Sequence, residues 1–518
     1  MGVTLLFATL LACSGPSGPD AVTVYARASL DLRGVRPSLA ESRALLEDPS
    51  GLDAALAALP EDPRFGWQLA LHFAPTWQTR ADESDVATRE AAVPDRGALL
   101  ASTGEEPLRL VAWIADHDLP WTDIVRAEGS VADEVLAQNW PVAYPAGAEG
   151  WQWVHPTDGR PLAGVLSSTG MWWRYTSTYG NANRGRANAL SRILLCNDFL
   201  EHPVAFNPAL DLTDEAAVQD AIHNDVACVS CHTGVDPIGA YLWGFYTEFF
   251  DATTEWARYH PERETLWEAF ETPPGYHGLQ GQGGGLDELG VSFARDPRLI
   301  SCIVRRTREA LLQRPMTRQD DPALVRHREA LLTGGVTLRA LVRDLLNDPD
   351  YRALDGDGAP WKHLRTDTWA SAVEDLTGWR FEVDGKDVFR EDIAGLRSLA
   401  GDSRAVAVST PTPTPTMVEV HARWAHAAAR HAVETDARAD APRLFTRARL
   451  DSADDEPTLR AQLVDLHLRV LSEVVAEDAP AVDEELDVWR AGYLAGGAVE
   501  AWARVLELLL RDPAFVVY

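Results

Sequence analysis

The residues best suited to chemistry lie in one stretch, Ala227-Cys228-Val229-Ser230-Cys231-His232-Thr233-Gly234-Val235-Asp236-Pro237-Ile238-Gly239. Cys-x-x-Cys followed directly by His is the attachment signature of a c-type haem. Two thiols one helical turn apart add to the porphyrin vinyl groups, and the next residue is placed to ligate the iron from the proximal side. The pattern predicts one covalent haem c held by Cys228 and Cys231, with His232 as proximal iron ligand. Three other uses of the pattern stay open. A structural zinc site needs four ligands, and with no second Cys pair in the chain it would recruit distant residues. A thioredoxin-like centre opens a helix after a strand, whereas the preceding run, Leu212–Ile222, reads as a helix. The third is a structural disulfide between Cys228 and Cys231.

A low-spin electron-transfer haem takes a second axial ligand, commonly Met or His. The methionines beyond the N-terminus are Met171, Met316 and Met417. Met316, in Arg314-Pro315-Met316, lies downstream of the motif at a distance usual for class I cytochromes and is the leading candidate for distal iron ligand. Against it, Met316 falls in a turn between helices, and a turn residue need not face a haem. His223, His260 and His277 are alternatives, and an open site is a fourth possibility. Setting aside Cys13 and the haem pair leaves Cys196 and Cys302. They are expected either as a disulfide in an oxidising compartment or as buried free thiols.

These residues need elements to position them, and 518 residues supply enough chain for two to four domains with cores of their own. The formal net charge is −31 and the pI about 4.8. Such acidity disfavours nucleic acid and anionic membrane surfaces, which need clustered positive charge. Basic residues are almost all Arg; Lys362 and Lys386 are the only lysines, a skew that reads as genome composition. Met1 to Cys13 is a short apolar run ending in Leu10-Leu11-Ala12-Cys13 before Ser14-Gly15-Pro16-Ser17-Gly18-Pro19. It resembles a bacterial lipoprotein signal with Cys13 as the lipidated residue, although its start carries no Lys or Arg; the other reading is an ordinary export signal with an incidental cysteine. Either way the chain is expected outside the cytoplasm, in the periplasm or cell envelope, touching membrane only through a lipid anchor.

In chain order, Val22–Phe73 reads as helical, with turns at Gly34–Ser38 and Glu61–Phe65 and a capping box at Ser38 and Glu41. A helix, a Pro turn, two further helices and an Asp-Pro-x-aromatic ending recur around Ile303–Tyr351 and Leu466–Phe515. This predicts an approximate helical unit used three times, too widely spaced for a solenoid. Trp151, Trp153, Trp172 and Trp173 mark a Gly/Pro/Trp-rich segment whose rings serve packing before any sugar-stacking or haem-covering role. Asn183–Cys196 reads as a helix. The Gly-rich 278–285 stretch is a loop and not a phosphate cradle. Thr410–Thr416 reads as an extended connector with little helical capacity. The expected divisions are 1–20, lipoprotein-type export signal and tether; 21–142, N-terminal helical domain; 143–205, Trp-rich segment and the helix leading to Cys196; 206–352, cytochrome c-like domain; and 353–518, C-terminal helical domain.

With these residues in place the chain resembles the planctomycete-type cytochrome c family, exported proteins assembled from several domains of unknown function. Asp31-Leu32-Arg33-Gly34-Val35-Arg36-Pro37-Ser38 and Asp62-Pro63-Arg64-Phe65-Gly66 are similar to that family's N-terminal helical domain. Asn183-Arg184-Gly185-Arg186 through Cys196 is similar to its Arg-Gly helix ending in Cys. Cys228 to Gly239 matches its Cys-x-x-Cys-His-x-x-x-Asp-Pro-x-Gly, and Cys302 through Arg314-Pro315 its closing segment. The chain departs from it at Tyr241-Leu242-Trp243-Gly244 and at Gln313. The resemblance implies a mainly α fold, several helical domains around a small c-type cytochrome-like haem domain, and supplies no substrate. The expected function is an exported, lipid-anchored haem protein that passes single electrons to and from a redox partner protein. The rivals are a non-redox cell-surface binding or scaffold protein with a structural CVSCH clip, and a peroxidase-like enzyme with an open haem site. No Ser-His-Asp or paired-carboxylate constellation stands out, so no catalytic residue is assigned.

Overall fold

Two large hydrophobic cores and a smaller cluster around Leu99, Trp140 and Trp173 collect the described helices, and buried polar contacts join the two large ones. The computed structural model describes residues 18–80, 96–201, 210, 211, 213–248, 253–277, 279–281, 284–353, 362–383, 386–389, 399 and 414–518. Cys13 with the rest of the export signal, Phe249, Phe250 and the 410–413 part of the Pro/Thr stretch lie outside them. Helix accounts for 67% and strand for 4%, which places the chain in the mainly α class. The first core runs from Ala21 to Tyr351 and draws on the helices Gly18–Arg33, Phe65–Trp77, Arg96–Asp116, Arg184–Leu195 and Pro297–Leu312. The second runs from Leu364 to Val516, over Thr366–Thr377, Pro415–Asp436, Glu456–Leu466 and the long helix Pro480–Arg511. Each borrows across the boundary: Leu30 packs into the second core and Leu468 into the first.

Strand Gln152–Pro156 pairs antiparallel with Ser130–Ala132 on one side and Val142–Ala143 on the other. The Trp-rich segment spends its rings on packing. Trp172 and Trp173 are buried, Trp153 lies 5.4 Å from Trp113, and the Arg109 guanidinium sits between the rings of Trp67 and Trp151 at 3.3 and 5.2 Å.

The threefold unit has a physical basis in its turns. Its first helix ends in left-handed backbone at Gly34, Gln313 and Ser472, with φ of 71°, 48° and 60°. A Cβ at Gly34 would come within 2.7 Å of Gln68 Oε1, so a larger residue there would have to displace that side chain as well as adopt the positive φ. Each closing Asp accepts the amide two residues on: Asp62 from Arg64 at 2.9 Å, Asp348 from Asp350 at 2.8 Å and Asp512 from Ala514 at 2.8 Å. The aromatic that follows, Phe65, Tyr351 or Phe515, is buried in each copy. Ser38 and Glu41 form the expected capping box, and Thr317 with Asp320 forms its counterpart. Thr317 therefore takes the place of Ser38, its hydroxyl accepting from Gln319 N at 3.3 Å. The Pro/Thr stretch also differs from expectation: Thr414 caps a helix that starts at Pro415. Proline fits the first turn of a helix, where its missing N–H is no loss.

Arg36 ties the first unit to the last; its buried guanidinium donates to Leu471 O at 2.8 Å, Ala514 O at 2.8 Å and Phe515 O at 3.0 Å. Nearby, His467 lies 2.9 Å from Glu485 Oε1 and 3.3 Å from Glu473 Oε2. Burial alone would lower the His467 pKa, but these carboxylates raise it to about 9. A raised folded-state value means stabilisation that is fully present below about pH 6.5 and lost as pH rises through about 9. We expect the stability difference between wild type and His467→Gln to reach up to about 3 kcal/mol at pH 6 and to vanish by about pH 10. Denaturant titrations across that range read it; a difference that does not change with pH would contradict the pairing.

Candidate functional site

The motif lies on the helix Val226–Ala240, which Asp225 caps by accepting from Ala227 N at 2.9 Å. Cys228 and Cys231 fall one turn apart on it, both unpaired thiols and both partly exposed. Burial, and next the Asp225 carboxylate, hold the Cys228 thiol above its ordinary pKa, so it stays protonated at neutral pH. The other two described cysteines are bonded to each other: Cys196 to Cys302, with Cα atoms 5.3 Å apart.

His232 is oriented from its own helix. Asp236, one turn on, lies 3.0 Å from Nδ1 through both carboxylate oxygens, the spacing at which helical side chains meet. Arg184, at the start of the helix Arg184–Leu195, grips the same carboxylate with Nε at 2.8 Å and Nη2 at 3.0 Å. Burial would raise the Asp236 carboxyl, but His232 and Arg184 hold it below the usual range. A carboxylate on one ring nitrogen fixes the tautomer and makes the other nitrogen a better metal ligand. Glycine at 239 lets the motif helix lie against the turn that leads into the Arg184–Leu195 helix: a Cβ there would lie 2.8 Å from Ala182 O.

Beside Cys231 opens a cavity of about 450 Å³, within the size range of small-molecule and cofactor sites. Leu195, Phe199 and Ile238 give it an apolar part, and Tyr276, His277 and Arg298 also line it. Those last residues also border a second groove of about 970 Å³ that reaches Tyr241 and Glu288. The disulfide links the Arg184–Leu195 helix to the Pro297–Leu312 helix and so joins two parts of the lining.

Cys228, Cys231 and His232 thus come together on one helix. Of the predicted site residues Cys231 lines the cavity, whereas Cys228, His232 and Met316 do not. Met316 is buried at the turn after Pro297–Leu312, with Sδ 3.1 Å from Arg308 Nη1, where Arg308 also pairs with Asp320 at 2.5 Å and Asp348 at 3.4 Å. His260 is buried with both ring nitrogens engaged, Nδ1 3.0 Å from Glu262 and Nε2 2.9 Å from Glu255 O. His223 is exposed in the last turn of Glu215–Asn224. Sequence reasoning assigned no role to Asp236 or Arg184. The i, i+4 spacing to His232 could have found Asp236, and Arg184 lay in the Arg-Gly stretch of the resemblance without a role; nothing local marks Arg298.

The chemistry of the donor set fits a covalent haem, two free thiols and a carboxylate-backed imidazole on one helix, and of the three Cys231 borders the cavity. Among the described residues no group of three or more His, Cys, Asp or Glu converges as a zinc site would. No helix among them is long and apolar enough to cross a membrane. No protein-family model, curated protein or solved structure matches the chain.

Proposed function

We propose that the protein is an exported, lipid-anchored c-type haem protein that carries single electrons, of the kind found in the planctomycete-type cytochrome c family. The observation that carries this reading is the division of the cysteines. Cys196 and Cys302 are bonded, whereas Cys228 and Cys231 stay free on the helix that presents His232 with its Nδ1 held by Asp236. A haem bound there would supply one-electron exchange at its iron, taking an electron from one redox protein and giving it to another with no atom transferred. The chain's own part would be to hold the porphyrin edge through the two sulfurs, to offer His232 Nε2 to the iron, and to fix the orientation of that imidazole through Asp236 and Arg184. Leu195, Phe199 and Ile238 would limit water at the edge beside Cys231.

The test is a pyridine haemochrome spectrum on protein matured in a host with c-type haem assembly, beside Cys228→Ala/Cys231→Ala. We expect a c-type spectrum that survives denaturation in the wild type and disappears in the double variant. Wild-type protein that matures without haem would leave the motif a structural clip and replace the electron-transfer reading with the scaffold one.

A further inference from the structure

The groove of about 970 Å³ that reaches Tyr241 and Glu288 carries polar side chains for which haem attachment has no use. Two of them are carboxylates, and both are engaged. Asp296 is buried and accepts from Arg298, at 2.7 Å from Nη2 and 2.8 Å from the amide, and from the Tyr276 hydroxyl at 2.6 Å. Glu288 accepts from the Gly284 amide at 2.8 Å and from the Tyr241 hydroxyl. Neither carboxylate is left for a cation.

The groups left without partners are donors. Asp296 and Tyr276 clamp the Arg298 guanidinium along its Nε–Nη2 edge, and its Nη1 has no partner among the described residues. Arg298 Nη2 also lies 2.5 Å from His277 Nε2, so that nitrogen accepts and the ring proton sits on Nδ1. The His277 ring is 57% exposed, with Nδ1 unpartnered. Arg295, at the end of the helix Leu286–Arg295, is exposed and makes no ion pair or hydrogen bond, and the Ser292 hydroxyl one turn earlier makes none either. A guanidinium fixed from behind by a buried carboxylate, beside a second that is free, offers the planar forked donors that carboxylates fill. Tyr241 and Tyr276 add aromatic surface to the same groove, whose volume suits a small molecule.

We propose that this groove binds a small organic carboxylate, with its charged group on Arg295 and Arg298 Nη1 and its apolar body against Tyr241 and Tyr276. The site stands independently of the haem. The experiment is equilibrium dialysis of full-length protein against radiolabelled benzoate at constant ionic strength. The wild type should bind benzoate saturably. Arg295→Gln, which removes no contact from the fold, should bind it about tenfold or more weakly, the effect of losing one charged hydrogen-bond partner. Arg423→Gln, which alters an exposed arginine on another helix, should bind as the wild type does. Unlabelled benzoate should compete better than inorganic phosphate. Cys228→Ala/Cys231→Ala should bind benzoate like the wild type, so that a failure of haem attachment leaves this result standing. No saturable binding, equal binding by Arg295→Gln, a like loss in Arg423→Gln, or loss of binding in the double-cysteine variant overturns the site. Phosphate that competes better than benzoate overturns the carboxylate as its ligand.

Discussion

Lys362→Met should cost the fold about 3–5 kcal/mol, the size expected when one partner of a buried ion pair is removed and the other charge is stranded. Lys362 and Asp31 are paired side chains with almost no solvent contact, at 3% and 0% exposure. The carboxylate also accepts from the hydroxyls of Tyr351 at 2.6 Å and Tyr518 at 2.8 Å. The ammonium lies 5.3 and 4.7 Å from the centres of those two rings. Burial lowers the Lys362 pKa to about 8, with the Asp31 carboxylate opposing, so the lysine remains mostly charged at neutral pH. Its backbone also pairs with that of Tyr518, N to O at 3.0 and 2.8 Å. The pair therefore fastens the first helix of the first core to the edge of the second. Denaturant unfolding of Lys362→Met, Asp31→Asn and the double variant measures it. We expect the double variant to lose less than the sum of the single losses, since neither charge is then stranded. A Lys362→Met variant within about 1 kcal/mol of wild type would contradict the account.

Cys196→Ala/Cys302→Ala should lose a similar amount. The bond closes a loop between residues 106 apart, for which the chain-entropy account gives about 5 kcal/mol. The loss bears on the site, because this bond joins the helix that carries Arg184 to the helix that Asp296 caps. Titrating thiols in denatured apoprotein gives the first check: Cys228 and Cys231 should react at once, and Cys196 and Cys302 only after reduction. The second is the unfolding midpoint, which should fall in the double variant. Immediate reaction of Cys196, or an unchanged midpoint, would remove the bond from the stability of the fold.

The parts legible in the sequence are those whose chemistry is local. The Cys228-x-x-Cys231-His232 triad needs only one helix, and the helices before and after it follow from apolar periodicity and caps. The Asp-Pro-x-aromatic ending was readable as a repeat because an Asp accepting the amide two residues on needs no distant partner. The cavity lining beyond the motif was not readable. His277 was one histidine among several, and its contacts with Asp296 and Arg298, at the start of another helix, are set by the tertiary fold. The scarcity of lysine reads as composition, yet Lys362 is placed where a point charge meets Asp31, a contact set by how two cores meet. Met316 stood out by residue type and spacing; the buried Arg308 that its sulfur touches is a tertiary neighbour no pattern announces. At Thr414-Pro415 the Pro/Thr composition suggested extended chain, and the local capping chemistry decided otherwise.

The most direct test of the covalent haem is the intact mass of full-length protein matured with c-type haem assembly, followed by peptide mapping. The account predicts a gain of one haem, carried by the peptide that contains Cys228 and Cys231, neither of which then takes up an alkylating reagent. An unmodified mass, with both thiols alkylated, would contradict it.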